Sequence, residues 1–479
     1  MFDSLPVFDF YFHHLTYTVS SKVTGLARQK WAQRLVIITA VIFLSAVLPA
    51  FLPDTRLLLF TGLIPAAAAV LLFLYRPPLG LVALVVVALV FPSPELPGGF
   101  NVAVLLLILL IGLWLAEMFI VQRRVWVIAS RPVKPLLFLL LAALIATLFG
   151  QLPWFRYVRP APLEAQLGGL ATFVLAAGAF LLAAQQIREL RWLQWLTWVY
   201  VALGALFVAG WLLPPLGRFT SRLFQLGATG NSLFWTWLAA VAFSQALFNR
   251  KLHPGWRLIL AGVVAMTLYV AAVLNNDWKS GYLPPLAALA VIFALRSRPA
   301  GLLMVLVAPV AAFYLSSQAI ATDQYSYGTR IDAWIILFEI IKVNPVLGLG
   351  PANYYWYTPL FPIRGWRVRF NSHNQYVDII AQTGILGMIC VIWFAIEEGL
   401  LGWRLRHQAP AGFAQAYVYG VLGGLAGMVV AGMLADWIFP FVYNIGLNGF
   451  RGAIPAWLFL GGLVSVEQMI LQKKATVQA

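Results

Sequence analysis

The chain has 479 residues, 62% of them hydrophobic and only 10% charged, with a mean hydropathy of +0.86. Soluble domains sit near half apolar and a quarter charged, so this composition excludes a soluble enzyme and describes a polytopic membrane protein. The net charge of +16 raises nucleic acid as a partner. The basic residues are scattered through short loops without a long aromatic-basic surface, so positive-inside loops and contacts with membrane lipids explain them better and no nucleic acid is expected.

In chain order, a polar start carrying Lys22, Arg28, Lys30 and Arg34 precedes the first apolar run, which begins near Leu35. That run is too late and too long for an ordinary signal peptide and reads as the first anchor. Apolar runs near the ~20 residues needed for a span then recur at 35–53, 57–75, 78–92, 101–121, 135–150, 166–186, 192–213, 231–249, 257–275, 281–297, 300–318, 376–397, 412–435 and 452–470. In lipid the backbone must satisfy its own hydrogen bonds, and no alternating barrel pattern is present, so these runs read as helices. The expected fold is all-α, a transmembrane bundle of about 12–14 spans with one long, partly helical external loop. Its expected organisation is a cytoplasmic segment 1–34, a bundle 35–318, an external loop 319–375, C-terminal spans 376–470 and a cytoplasmic tail 471–479. Cys390 is the only cysteine, so neither an intramolecular disulfide nor a cysteine metal site is expected.

With both termini in the cytoplasm, most of the 32 Lys and Arg residues fall on the cytoplasmic side, as the positive-inside rule requires. Clear clusters there are Arg123/Arg124/Arg131/Lys134, Arg250/Lys251/Arg257 and Arg296/Arg298. The exceptions lie outside, at Arg156/Arg159, Arg218/Arg222, Lys279, Arg330/Lys342 and Arg364/Arg367/Arg369. Topogenesis disfavours positive charge there. A phosphate or diphosphate at the outer interface would hold it, with arginine forks as ligands; snorkelling to headgroups is the alternative, and suits Arg156 and Arg159 better than Arg222 and Arg330. The histidines sort the same way: His13, His14, His253 and His407 fall inside, and His373 alone falls outside, available for acid/base work.

Residues 319–375 are the only long segment outside the apolar runs. Such loops are functional or disordered, and this one is too aromatic for disorder, with Tyr325, Tyr327, Trp334, Tyr354, Tyr355, Trp356, Tyr357 and Trp366 among its rings. Arg330 to Lys342 reads as an amphipathic helix, with Ile331, Trp334, Ile335, Phe338 and Ile341 at helical spacing, ending at Asn344-Pro345. The aromatic rings suit sugar faces and suit packing on the membrane surface equally. Gly348-Leu-Gly350 is not a nucleotide fingerprint, because it does not join a strand to a helix. No Asp-x-Asp and no Gly-x-x-x-x-Gly-Lys motif occurs, so a metal-bound nucleotide-sugar donor has no visible site and a donor already in the membrane is favoured.

Gly328-Thr-Arg-Ile-Asp-Ala-Trp334, Asn344-Pro-Val-Leu-Gly-Leu-Gly-Pro351, Asn371-Ser-His-Asn-Gln-Tyr376 and Gly384-Ile-Leu-Gly387, in that order, resemble the O-antigen ligase and polymerase family of bacterial membrane glycosyltransferases. An earlier stretch, Arg222 to Asn231, is similar to the family's Arg-to-Gly-Asn segment, but Asn231-Ser232 stands where Asn-Pro is usual. Trp278-Lys279-Ser280-Gly281 stands where Ser-Arg-Gly is common, which keeps charge and loses bidentate geometry. The spans counted also exceed the family's usual twelve. The resemblance implies transfer of a glycan from an undecaprenyl-diphosphate carrier to a glycan, lipid or protein acceptor at the outer face of the plasma membrane, inverting and without metal or cofactor. On this reading Arg222 and Arg330 bind the diphosphate, with Lys279 and Arg218 assisting. His373 positions or deprotonates the acceptor hydroxyl. Asn371 and Asn374 fix its ring or bind sugar hydroxyls, and Asp332 orients Arg330 or His373. The competing class is a multispan transporter of a lipid-linked sugar or small anion, for which Glu117 and Asp436 are the nearest ionisable candidates, though both lie toward span ends.

Overall fold

The computed structural model describes residues 69–92, 99–297, 299–304, 306–307 and 324–478. The expected segment 1–34, span 35–53, most of span 57–75, residues 308–318 of span 300–318 and loop residues 319–323 lie outside the described residues. Residues up to Pro77 form a unit of their own, of which only a short helical stretch is described; the remainder concerns Pro78–Ala479.

Among the described residues, thirteen helices have ten or more residues: α1 Pro77–Val90, α2 Val102–Ala116, α3 Val133–Phe149, α4 Leu163–Gln186, α5 Leu190–Leu212, α6 Pro214–Leu223, α7 Ser232–Phe248, α8 Pro254–Tyr269, α9 Lys279–Ala294, α10 Gln324–Ile341, α11 Gln375–Gln408, α12 Phe413–Leu434 and α13 Gly446–Gln478. Each expected span from 78–92 to 281–297, and each from 376–397 onward, falls on one of them. The described residues form no strand, only an isolated bridge between Ile363 and Trp366. Among the described residues, seven helices are long and apolar enough to cross a membrane, and four shorter apolar ones accompany them. Residues 471–478 of the expected tail are helical and continue α13.

The centre of the bundle is α4, α7, α12 and α13. Trp237 on α7 is fully buried and stacks on Phe459 of α13 at 5.3 Å, while Tyr417 Oη donates to Phe459 O at 2.7 Å. Between membrane helices burial offers little driving force, so close backbone approach and interhelical hydrogen bonds do this work. On α12 a Cβ at position 427 would lie 2.6 Å from Pro284 O of α9 and 2.5 Å from Thr236 Cγ2 of α7, which explains the glycine there. Arg451 of α13, 1% exposed, donates through Nε to Ala88 O at 2.6 Å and through Nη2 to Val87 O and Phe91 O at 2.8 Å. It thereby satisfies the Ala88 and Phe91 carbonyls at the end of α1 and shares Val87 O with Phe91 N, which donates to it at 3.2 Å.

Helix α10 starts earlier than expected, and it is apolar on two sides. Ala333, Leu337, Ile340 and Ile341 are buried, while Ile331, Ile335 and Phe338 are exposed. Both sets follow helical spacing, so a single inward stripe read from the sequence resolves into two.

α11 is two helices in line. Gly384 has φ 67 and ψ −171, which breaks the helix. Residues 345–350 fill the break: Pro345 O and Val346 O accept from the Ile385 and Leu386 N–H groups at 2.9 and 3.3 Å, while Leu349 N and Gly350 N donate to Ala381 O and Gln382 O at 2.9 and 3.0 Å. An interrupted membrane helix is tolerated where protein satisfies the freed backbone groups. The Asn344–Pro351 and Gly384–Gly387 motifs are therefore one structural unit.

Candidate active site

The segments between helices converge at one end of the bundle. Asn353 Nδ2 donates to Gly150 O at 3.0 Å and its Oδ1 accepts from Ala161 N at 2.8 Å, joining the 345–374 segment to the α3–α4 loop. Asn231 caps α7 and also donates to Trp437 O at 3.3 Å. Trp278 packs edge-on against Trp437 at 6.1 Å. The same segments are those that the charge rule assigns to the outside.

At this end the turn Asn371–Asn374 leads into α11. Its conformation is fixed from four directions. Trp334 Nε1 of α10 donates to Ser372 O at 2.8 Å. Ser372 Oγ lies 2.8 Å from Asp378 Oδ1 and accepts from Asn374 N at 2.9 Å. Asn374 Oδ1 caps α11 by accepting from Tyr376 N at 2.9 Å and Val377 N at 3.3 Å, and its Nδ2 donates to Met433 O at 3.3 Å. Gln375, fully buried, accepts through Oε1 from Ile438 N and Phe439 N at 3.0 and 2.8 Å. His373 itself has φ 48, a left-handed conformation uncommon for a histidine. Non-glycine residues persist there when their surroundings over-determine them, and such residues cluster at functional sites.

Beneath the turn are two buried carboxylates. Asp378 accepts from Ser372 Oγ and from the Tyr354 hydroxyl, and its Oδ2 is buried with no hydrogen-bond partner. Burial, followed by the Asp378 charge, holds the Tyr354 hydroxyl well above its ordinary 10.0, so it remains a donor. Asp436 Oδ2 accepts from Phe441 N and its Oδ1 from Asn444 Nδ2, both at 2.7 Å. Burial raises the Asp436 carboxyl above its ordinary 3.8, with those two bonds and His373 working against the rise.

His373 keeps part of its ring open to solvent. Its pKa is lowered from 6.5, first by partial burial and next by the positive charge of Arg330; Asp436 acts in the opposite sense. Arg330 therefore shares an electrostatic neighbourhood with His373. It makes no ion pair among the described residues and stands 5.9 Å from the Tyr327 ring.

The remaining expected residues are distributed differently. Asp332 orients neither Arg330 nor His373: its Oδ2 accepts from Arg364 Nε at 2.7 Å. Arg364 folds back from its loop onto α10 and stacks on Tyr325 at 4.8 Å, reaching a partner remote in sequence. Asn374 serves as a helix cap through Oδ1 and anchors to Met433 O through one N–H of Nδ2, so it positions the turn and keeps one amide N–H for a substrate oxygen. Asn371 Nδ2 is buried without a partner. Lys279 Nζ donates to Asn276 O at 3.0 Å, next to the Trp278–Trp437 contact. Arg218 and Arg222 are exposed on α6, and no described contact links them to His373. Most of the aromatic cluster is core: Tyr354 and Tyr357 are fully buried, Tyr354 stacks on Phe441 at 4.8 Å, and Arg369 lies 3.8 Å above Trp356. Trp366 is exposed.

An apolar cavity of about 680 Å³ opens below this assembly, between α11, α12 and α13. Tyr376, Met433, Ile438 and Phe439 line its upper part; the first two hydrogen-bond Asn374 of the His373 turn, and the last two hydrogen-bond Gln375, the first residue of α11.

Residues 233–392 match the family model described as O-antigen ligase. About a third of the chain is thus similar to an O-antigen ligase domain. The matched third of the chain contains Lys279, Arg330, Asp332, the whole Asn371–Asn374 turn, Asp378 and the glycine break in α11, while Arg218, Arg222 and Asp436 lie beyond it. It supports a membrane glycosyltransferase of the O-antigen ligase and polymerase type. No curated protein matches the chain. The two departures from the family pattern meet at the edge of the matched region, because Ser232 Oγ, just before it, donates to Ser280 O at 2.5 Å. A proline at 232 could not make that side-chain bond.

Sequence reasoning passed over Asp378 and treated Asp436 as a possible transporter group. Both belong to the His373 assembly. An acidic residue beside or within an apolar run is a functional candidate by default, and that signal was available at both positions.

Proposed function

We propose that the chain is an inverting, metal-independent glycosyltransferase acting at the outer face of the plasma membrane. It takes a glycan from undecaprenyl diphosphate and joins it to a sugar hydroxyl. The observation that carries this reading is the convergence of a solvent-reaching histidine, an arginine without a carboxylate partner and an apolar cavity at one end of the bundle. The cavity suits an isoprenoid chain, the arginine its diphosphate and the histidine an incoming hydroxyl.

In this mechanism the acceptor oxygen attacks the anomeric carbon as the bond from that carbon to the diphosphate oxygen breaks. The hydroxyl proton passes to a neutral ring nitrogen of His373. The bonding electrons leave with undecaprenyl diphosphate, whose developing charge is stabilised by Arg330, with Arg222, Arg218 and Lys279 drawing and holding the donor. One displacement inverts the centre. Asn374, Ser372 and Asp378 position the histidine, and Asn371 has a free donor for the ring or a substrate oxygen.

The test is incubation of the purified chain with undecaprenyl-diphosphate oligosaccharide, with and without a second acceptor, in EDTA. Transfer is expected to persist undiminished in the chelator, and a loss restored by added divalent ion would refute metal independence. Elongation of the donor alone identifies a polymerase. Product only after a lipid or protein acceptor is added identifies a ligase or protein transferase. No transfer to any acceptor overturns the reading.

The shifted histidine also predicts a pH profile. A base must be neutral to act, so the acidic limb of kcat/KM should fall below pH 6.5, the ordinary value for histidine. Removing the positive charge in Arg330→Gln removes a cause of the lowering and should move the limb to higher pH. Asp436→Asn removes the opposing charge and should move it lower. A limb unmoved by both substitutions would separate His373 from the rate.

A further inference from the structure

A second polar cavity lies at the other end of the bundle. Its residues come from the segment before α3, the first turns of α3, the distal half of α11 and α13, in a space of about 610 Å³. Glu397 is more than twenty residues along α11 from the His373 turn, roughly 30 Å at 1.5 Å per residue, so this cavity is distinct from the candidate active site.

Its charges are arranged by depth. The carboxylates Glu397 and Glu467 are mostly buried, with side chains 18% and 13% exposed, while Arg131 and Arg404 at the rim are 65% and 46% exposed. Glu467 is satisfied, accepting from Ser130 Oγ at 2.6 Å and Arg404 Nη2 at 3.2 Å. Glu397 is not. Its Oε1 accepts from Trp393 Nε1 at 3.3 Å, but its Oε2 has no hydrogen-bond partner and only a loose approach to Arg131 at 3.9 Å. Lys134, also lining the cavity and exposed, makes no ion pair among the described residues. The cavity therefore offers an unsatisfied acceptor within and spare cations at its edge.

A ligand matching this order has an ammonium a few atoms from a phosphate. Its surroundings say how such a ligand is presented. Leu137 and Trp393 line the cavity, Phe138 stacks on Trp393 at 5.9 Å, and an exposed apolar surface runs away from it through Phe138 and Leu141 on α3 and Ile392 and Ile396 on α11. That surface suits acyl chains. We infer that this cavity binds the phosphoethanolamine headgroup of a membrane phospholipid. The ammonium donates to Glu397 Oε2, the phosphate meets Arg131 and Lys134, and the acyl chains lie along α3 and α11. Charge-assisted bonds of this kind are the strong ones, and basic pockets between helix ends are recurrent lipid headgroup sites.

The experiment is native mass spectrometry of the full chain in detergent, titrated with phosphatidylethanolamine, phosphatidylcholine or phosphatidylglycerol of equal chain length. Choline has no N–H to donate, and glycerol has no positive charge. Phosphatidylethanolamine should be retained about tenfold more strongly than either, the effect of about one charge-assisted bond. Glu397→Gln should abolish that preference, and Lys134→Ala, at an exposed position with no ion pair among the described residues, should weaken retention of phosphatidylethanolamine severalfold. Equal retention of phosphatidylethanolamine and phosphatidylcholine, or a preference unchanged in both variants, overturns the site. Equally tight binding of free phosphoethanolamine would overturn its assignment to a lipid.

Discussion

His373→Ala is expected to lower the transfer rate by about a hundred- to ten-thousand-fold, the usual contribution of a positioned general base, while leaving affinity for the lipid-linked donor close to that of the parent. The folding risk is small, because the neighbours hold the turn through Ser372, Asn374 and Gln375 rather than through the imidazole. Arg330→Ala and Arg222→Ala should give the converse pattern, with donor binding weakened along with turnover. Donor affinity can be read with a fluorescent lipid-linked analogue and turnover with labelled glycan. Full turnover in His373→Ala removes the base assignment, and unchanged donor affinity in both arginine variants removes the diphosphate model.

Much of this arrangement was legible in the sequence. Apolar runs placed the helices because lipid permits few alternatives, and the charge rule grouped the loops that meet at one end. What the sequence hid were pairings between distant residues. Asp332 sits one turn-start away from Arg330 in sequence, yet its partner is Arg364, because the 361–369 loop folds over α10. Tyr354 looks like a sugar platform from composition and is instead a buried donor to Asp378. Asp436 is more than sixty residues from His373 and reaches it only because Gln375 ties the α12–α13 loop to the first turn of α11. Such contacts depend on how helices pack, which hydrophobic periodicity does not encode.

The same distinction gives the other large expected effect. In sequence Gly348-Leu-Gly350 lies in the external loop and Gly384 inside the expected span 376–397, and in the structure each exists because of the other. Gly384, at φ 67 and ψ −171, is in a region open almost only to glycine. A Cβ there would lie 2.1 Å from Val346 O, and one at Gly348, with φ 74, would lie 2.5 Å from Gly384 N. Backbone cannot move aside as a side-chain tip can, because these same atoms carry the bonds that bridge the helix break. Gly384→Ala therefore combines a strained backbone, about 1–3 kcal/mol, with overpacking of about 1–3 kcal/mol, a large part of the 5–15 kcal/mol that stabilises an ordinary folded domain. The expected result is a marked fall in the thermal midpoint of the detergent-solubilised protein, or loss of folded material altogether, with Gly348→Ala behaving alike. Gly262→Ala is the matched control: it lies in α8 with nothing within 4 Å of the added carbon, and helix propensity makes alanine neutral to favourable there. If Gly384→Ala melts with the control, the break in α11 is not held by residues 345–350. If it melts early and transfer falls with the folded fraction, the glycine pair is what keeps the short first half of α11, and with it the His373 turn, at the mouth of the apolar cavity.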